Sequence, residues 1–192
     1  MTKYRVSDKR LVFLDVETSG LDPHEHEVLE ICLMDKDGTI LLHSKLKPQN
    51  IENAEARALE INGYNTKDWE LAPSFRDLAP KIVEILKWCL AVGHNPSFDL
   101  NFIKSEIRRV DPKLLKGIGY HMVDTASLAY EHLSDAGLDA LSLGNVCKFI
   151  GVELKEADAH SAVADTEAAR QVYLKLHQAT WFDRRKWKRA NR

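Results

Sequence analysis

Two carboxylates, Asp15 and Glu17, close a short apolar run, Leu11 to Leu14, that is typical of a buried strand. Side chains alternate between the faces of a strand, so these two point the same way, two residues of ~3.3 Å rise apart. Like charges at that spacing repel, and a divalent cation offsets their repulsion. The pair predicts a metal site, and the alternative is that both carboxylates simply reach solvent.

Two further acids stand near the beginnings of helical patterns. Asp99 enters a helix after the apolar run 89–93, and Asp165 lies near the start of the last long helix, five residues after His160. Carboxylates without thiolates suit a hard cation such as Mg²⁺ or Mn²⁺. Two such ions about 4 Å apart hold a phosphodiester and activate a water, whose proton a neighbouring neutral histidine can accept. Taken singly, each acid could instead be an N-cap or first-turn residue.

The elements that must position these groups change in kind along the chain. Strands are predicted at 11–14, 28–34, 39–46, 89–93 and 120–124. Helices are predicted at 50–62, after a Ser74 cap with Asp77, at 98–109, 127–132 and 141–150, and along the row from Ala164 to Leu176. The first three strands form an antiparallel meander, and strand and helix alternate afterwards. This order predicts an α/β fold with a mixed five-stranded sheet and helices on its faces.

The composition fits one globular domain. The 192 residues can bury a substantial core, and 27 basic residues nearly balance 29 acidic ones, so the net charge of −2 argues neither for nor against a polyanionic partner. We expect a single domain over residues 1–180 and a basic tail over residues 181–192. The tail, with Trp181 and Trp187, could bind nucleic acid or a protein partner, or could be a solvated terminus.

Cysteine spacing and hydropathy indicate the cellular setting. Cys32, Cys89 and Cys147 are far apart and odd in number, which argues against disulfides and against a thiolate zinc site. No apolar run approaches the length of a membrane span, and the first ten residues are polar. We therefore expect a soluble cytoplasmic protein with no membrane association. The sequence carries no signature of an oligomeric state.

Three ordered motifs resemble those of the D-E-D-D-h branch of the DnaQ-like 3′→5′ exonucleases. Residues Asp15 to Gly20, D-V-E-T-S-G, look like the first motif, with Ser19 where threonine is more usual. Residues His94 to Asp99, H-N-P-S-F-D, look like the second, and residues His160 to Asp165 fit the third, H-x-A-x-x-D. The resemblance covers roughly residues 11–176, and three motifs in order are far more specific than one.

This resemblance implies a fold, a metal centre and a substrate site. The implied fold is RNase H-like, with two Mg²⁺ or Mn²⁺ ions. The implied metal ligands are Asp15, Glu17, Asp99 and Asp165, with His160 as general base. The implied substrate contacts are Thr18, Ser19, Gly20 and Leu21, which grip the terminal nucleotide. Asn95 ties its loop to the site, whereas Phe98 and Phe102 either stack on bases or, for at least one of them, belong to the core.

The resemblance also implies an activity. We expect a metal-dependent 3′→5′ exonuclease that releases nucleoside 5′-monophosphates from nucleic acid 3′ ends, with single strands preferred and DNA favoured, as in proofreading or repair. One alternative is a 3′→5′ exoribonuclease of the ribonuclease T or oligoribonuclease type. A second alternative, from another class, is a polymerase-associated binding subunit that uses the basic tail to contact its polymerase partner.

Overall fold

A five-stranded mixed sheet forms the centre of the molecule. A computed structural model describes residues 9–154 and 161–191. The strands are β1 (Leu11–Thr18), β2 (Val28–Met34), β3 (Ile40–Lys45), β4 (Leu90–Gly93) and β5 (Met122–Asp124). Their order across the sheet is β3-β2-β1-β4-β5. The predicted sheet is confirmed, and it places β1, the strand that carries Asp15 and Glu17, in the middle.

The register around β1 explains its central role. It pairs antiparallel with β2, where Asp15 lies opposite Cys32, and parallel with β4, where Phe13 lies opposite Val92. β2 pairs antiparallel with β3, so the predicted meander of three strands is confirmed. All seven residues of β2 are buried, as expected for a strand that is covered on both faces.

Helices cover both faces of the sheet. They are α1 (Ala56–Ile61), α2 (Thr66–Glu70), α3 (Phe75–Leu86), α4 (Pro96–Val110), α5 (Thr125–Leu133), α6 (Leu143–Ile150), α7 (Ala162–His177) and α8 (Trp181–Ala190). On one face, Leu14 of β1 joins a core with Ile82 of α3 and Ile103 of α4. On the other face, Phe13 meets Tyr173 of α7, with ring centroids 5.4 Å apart. Because odd-numbered β1 residues face α7, the strand presents its two acids to that helix.

The structure differs from the predicted elements in three places. The helix predicted over 50–62 is interrupted: a 3₁₀ turn spans Ile51–Asn53, Ala54 is extended, and α1 begins only at Ala56. The Glu55 backbone N–H donates to the Ser19 carbonyl over 2.8 Å, and this long-range bond replaces a helical one. The helices α2 and α8 were not predicted. Within the described residues, no helix has the length and apolar character needed to cross a bilayer.

Candidate active site

Three carboxylates from two elements meet on the α7 face of the sheet. Asp15 and Glu17 project from β1, and Asp165 projects from the first turn of α7, which begins at Ala162. One carboxylate oxygen from each lies within 4.8 Å of the other two. Residues separated by about 150 positions in the chain thus form one acid cluster, as the motifs predict. We use the name acid cluster for Asp15, Glu17 and Asp165.

Asp99 lies beside the acid cluster and contacts the backbone of β1. Its Oδ1 accepts the Val16 N–H over 2.9 Å, and the side chain is buried. After burial, the negative charge of Asp99 is the largest cause of the raised pKa of Asp15. The hydrogen bond to Val16 fixes the start of α4 against the strand that supplies two of the three clustered acids.

The electrostatics of these acids fit a cation site. Burial, followed by the charges of Asp99, Glu17 and Asp165, raises the pKa of Asp15 well above its ordinary value. Burial and the neighbouring acids raise the pKa of Glu17 to about 7. Burial raises the pKa of Asp99 to about 7, although the Val16 N–H opposes the shift. A set of buried oxygen donors whose charges repel is stabilised when a hard divalent cation binds.

Glu30 is a further acid next to the acid cluster that the motifs do not indicate. It lies opposite Glu17 in the β1–β2 register, and its charge contributes to the raised pKa of Glu17. Its Oε1 is 2.7 Å from Nε2 of His43 on β3. Only the pairing of β1 with β2 places Glu30 next to Glu17. The sequence could have indicated this neighbour only after the register of the meander had been assigned.

The second motif is held by a network that sequence analysis identified only in part. His94 Nδ1 lies 2.9 Å from Thr125 Oγ1, and its Nε2 lies 2.6 Å from the Leu141 carbonyl, which makes this histidine structural. Asn95 has a left-handed backbone with φ of 64°, and its N–H donates to Asp124 Oδ1 over 2.9 Å. Asp124 also caps α5, as its position before Thr125 indicates. Its contact with the Asn95 turn was not predicted.

The turn predicted to bind the terminal nucleotide, Thr18 to Leu21, directly follows Asp15 and Glu17 in the chain. A register shift between Glu17 and Thr18 ends the regular pairing of β1. Thr18 Oγ1 donates to the Gly20 carbonyl over 2.7 Å, and Ser19 Oγ accepts the Glu27 N–H over 2.9 Å. Leu21, in contrast, is 72% exposed. Hydrogen bonds therefore hold the base of the turn, and the turn presents one apolar side chain to solvent.

Three predicted site residues remain: Phe102, Phe98 and His160. Phe102 is completely buried, so the prediction that it contacts substrate is corrected, and its ring belongs to the core below α4. Phe98 is partly exposed and packs on it, with ring centroids 4.9 Å apart. His160, the predicted general base, lies outside the described residues.

Known proteins match most of the chain. A family model described as exonuclease matches residues 12–173. Ribonuclease T of Shewanella denitrificans is 29% identical over 183 residues, which cover 86% of this chain and 79% of that protein. Ribonuclease T of Vibrio parahaemolyticus is 28% identical over 181 residues, covering 84% and 82% of the two chains.

Solved structures share the fold. Exonuclease I superposes with a TM-score of 0.74 at 19% identity, over 95% of this chain and 43% of that one. E. coli exonuclease I in complex with a dT13 oligonucleotide gives a TM-score of 0.72 at 19% identity, over 92% of this chain and 43% of its own. The chain thus spans under half the length of exonuclease I. Because the family model covers most of the chain and contains the acid cluster, the chain belongs to the exonuclease family, the DnaQ-like 3′→5′ exonucleases that its motifs predict.

Proposed function

We propose that the chain hydrolyses the terminal phosphodiester at nucleic acid 3′ ends and releases nucleoside 5′-monophosphates, with single strands as the preferred substrate. The observation that carries this proposal is the convergence of Asp15, Glu17 and Asp165 within 4.8 Å at the end of β1. When bound there, divalent cations polarise the phosphodiester and lower the pKa of a water. Mg²⁺ and Mn²⁺ both suit an all-oxygen ligand set.

The residues around the acid cluster have distinct proposed roles. Asp15, Glu17 and Asp165 would hold the divalent cations, with Asp99 as the fourth carboxylate next to them. His160 accepts the proton of the attacking water, a role that its place in the third motif supports; in the sequence it precedes Ala162, the first residue of α7, by two positions. Five residues after His160, Asp165 anchors that helix terminus at the acid cluster.

The terminal nucleotide has its own proposed site. The turn from Thr18 to Gly20 offers backbone groups to the 3′-hydroxyl, and exposed Leu21 packs against the last base. Phe98, in the first turn of α4, offers a partly exposed ring for a second base, and Asn95 fixes the turn that begins this helix. A site that recognises a terminal hydroxyl explains why hydrolysis would begin at chain ends.

The relatives bear on the sugar of the substrate. The similar proteins from Shewanella and Vibrio are ribonucleases by name, and the similarity to them covers most of both chains. This favours the exoribonuclease alternative over the DNA preference expected from the motifs. The test is degradation of matched 5′-labelled RNA and DNA single strands with Mg²⁺, Mn²⁺ or chelator. Products that shorten from the 3′ end support the proposal, and hydrolysis that persists in chelator contradicts it.

The metal assignment makes a direct prediction for two carboxylates. Asp15→Asn and Asp165→Asn should each reduce the hydrolysis rate by at least ~100-fold, because each removes a charged ligand from the reacting centre. Thermal stability should be kept or increased, since one repelling charge is lost. Asp139→Asn, at an exposed loop acid, is the matched control and should keep full activity. Full activity of either cluster variant would refute the assignment.

A further inference from the structure

A cleft of about 820 Å³ opens at the end of β4 that is remote from the acid cluster. It is lined by Lys9, Trp88, Cys89, the turn 117–119, Tyr120 and His121. We call it the basal cleft. Leu90 pairs with Leu11, whereas Asp15 and Glu17 lie four and six residues further along β1. At ~3.3 Å per residue, the basal cleft is about 13 to 20 Å from the acid cluster along the strand.

Exposed aromatic rings dominate the rim of the basal cleft. Trp88 is 67% exposed and Tyr120 is 76% exposed. The rings of Tyr120 and His121 lie next to each other, with centroids 4.1 Å apart. Large aromatic side chains that remain in water lose little rotamer freedom when a flat ligand stacks on them. Trp88 and Tyr120 are therefore suited to stacking on nucleobases of any sequence.

The backbone holds Trp88 in this exposed position against a conformational cost. Its φ is +61°, a left-handed conformation that bulky residues rarely adopt. The Trp88 N–H donates to the Gly117 carbonyl over 3.0 Å, and Lys87 forms an isolated bridge with Ile118. Surrounding contacts therefore fix an unfavourable backbone that displays the indole instead of burying it. Such strain is concentrated at functional surfaces.

The charge around the basal cleft is positive. Lys9 lines it, and the Lys87 side chain lies across Gly117, where an added Cβ would be 2.8 Å from Lys87 Cγ. Lys104 Nζ donates to the Gly119 carbonyl over 3.1 Å. Burial raises the pKa of the Cys89 thiol, and the positive charges of Arg10 and Lys9 oppose that shift. No carboxylate is among the described residues that line the cleft.

We infer that the basal cleft binds a segment of single-stranded nucleic acid, with bases stacked on Trp88 and Tyr120 and phosphates near Lys9 and Lys87. Aromatic stacking together with a positive groove is the chemistry that holds single strands without reading sequence. The inference rests on the proposed function for the identity of the ligand. Only an oligonucleotide of several nucleotides is long enough to occupy both the basal cleft and the acid cluster. A dinucleotide is too short to reach both.

Binding of fluorescent oligoadenylate and oligodeoxyadenylate, measured by anisotropy in chelator, tests the inference separately from hydrolysis. Trp88→Asn removes the ring with a residue that tolerates positive φ, and Tyr120→Ala removes the second ring. Each variant should bind the long oligomers about tenfold more weakly. Trp88→Phe should recover most of the affinity, because it keeps an aromatic face. Leu71→Ala, at a residue that is 92% exposed elsewhere, should bind like wild type.

Hydrolysis supplies the second readout. With Mg²⁺, Trp88→Asn should raise KM for long oligomers and leave the turnover of a dinucleotide unchanged. Unchanged affinity and unchanged KM in both ring variants would overturn the inference while wild-type hydrolysis still supports the proposed function. A fall in thermal stability without a fall in affinity would assign the cleft to the chain's own packing, and would also overturn it. If the wild-type protein hydrolysed none of these substrates, the proposed function would be contradicted instead.

Discussion

The buried carboxyl groups at the end of β1 lower the stability of the fold when they ionise, which exposed acids do not. Glu17 has its pKa raised to about 7 by burial first and then by Asp165, Glu30 and Asp99. An acid with a raised pKa holds more protons in the folded protein than in the unfolded chain between its two pKa values. Its contribution to stability is complete below about pH 4.5 and is lost as the pH rises through about 7. Cation binding reverses this loss, because the cation needs the ionised form.

The pH dependence follows for Glu17→Gln. In chelator, the melting temperature of this variant relative to wild type should increase from about pH 4.5 to about pH 7.5, as the wild type loses its bound proton. The melting temperature of the variant minus that of the wild type is the quantity to compare. Burial lowers the pKa values of His94 and His132, so these histidines make both proteins more stable as the pH rises, and the subtraction removes their effect. Scanning calorimetry at both pH values measures this difference. Saturating Mg²⁺ should stabilise the wild type more than the variant at the higher pH, and a flat difference in chelator would contradict the assignment.

Gly20 is a second residue whose replacement has a defined effect. A Cβ at this position would lie 2.5 Å from the ring of His26, which is buried and accepts the Asp22 N–H over 3.0 Å. Gly20→Ala should therefore cost about 1 to 3 kcal/mol of stability. It should also slow hydrolysis, because the displaced turn carries Leu21.

The control for this change lies in α6. Gly144 has open space around its Cβ position, so Gly144→Ala should be neutral or stabilise by about 0.5 to 1 kcal/mol. Urea unfolding and initial rates compare the two variants. Equal stability of the two alanine variants would show that the contact with His26 does not constrain the turn.

At the scale of elements, α4 and α5 are joined through one carboxylate. Asp124 Oδ1 accepts from Asn95 and from Ala126, each over 2.9 Å, and Oδ2 accepts from Ser127 Oγ over 2.6 Å. Burial alone would raise the pKa of Asp124, but the hydrogen bonds from Ser127, Asn95 and Ala126 outweigh it and hold the pKa below its usual value. The turn that begins α4, and with it Asp99, is therefore fixed from the end of β5.

Asp124→Ala tests this connection. The variant should lose about 1 kcal/mol of stability with the α5 cap and should lower the hydrolysis rate by ~10-fold to 100-fold, because the turn before Asp99 loses its acceptor. Asp77→Ala is matched to it: Asp77 belongs to the capping box of α3, away from the motifs. Its stability cost should be similar and its turnover unchanged. Equal turnover in the two variants would contradict a positioning role for Asp124.

Sequence predicted local elements better than long-range contacts. The apolar run at 28–34 gave β2 with its observed bounds, and Ser74 with Asp77 marked the start of α3. The helix at 50–62 was interrupted by the bond from Glu55 to Ser19, which joins residues 36 positions apart. Motif order indicated Asp15, Glu17 and Asp165 together. Glu30 and Asp124 were missed as site neighbours because strand pairing and a loop contact place them, and neither appears in local spacing.

At the scale of the whole molecule, α8 extends the packing on the α7 side. Trp187 packs against the core cluster that includes Val172, and Lys188 Nζ donates to the Asp135 carbonyl over 2.7 Å. Asn191 Nδ2 donates to the Phe149 carbonyl over 3.0 Å. The basic segment over residues 181–190 is thus a docked helix whose remaining cations, such as Lys186 and Arg189, are exposed.

Deleting residues 181–192 separates packing from charge. The deletion should lower the free energy of unfolding by about 1 to 3 kcal/mol and leave hydrolysis intact below the new melting temperature, because the acid cluster lies on β1 and α7. The double variant Lys186→Ala, Arg189→Ala should keep full stability. Weaker oligonucleotide binding by that double variant would assign the segment to nucleic acid. Loss of turnover in a folded truncated protein would contradict the prediction.

The turn after β1 is braced from outside the sheet, since Asn62 Nδ2 donates to the Thr18 carbonyl over 2.8 Å and the Glu55 N–H donates to Ser19. Both braces come from the segment 51–62, whose helical turns bury no residue. Such a segment is free to diverge without disturbing the core. Exchange of this stretch between family members should therefore move the turn that carries Leu21 and leave the sheet, with its acid cluster, unchanged.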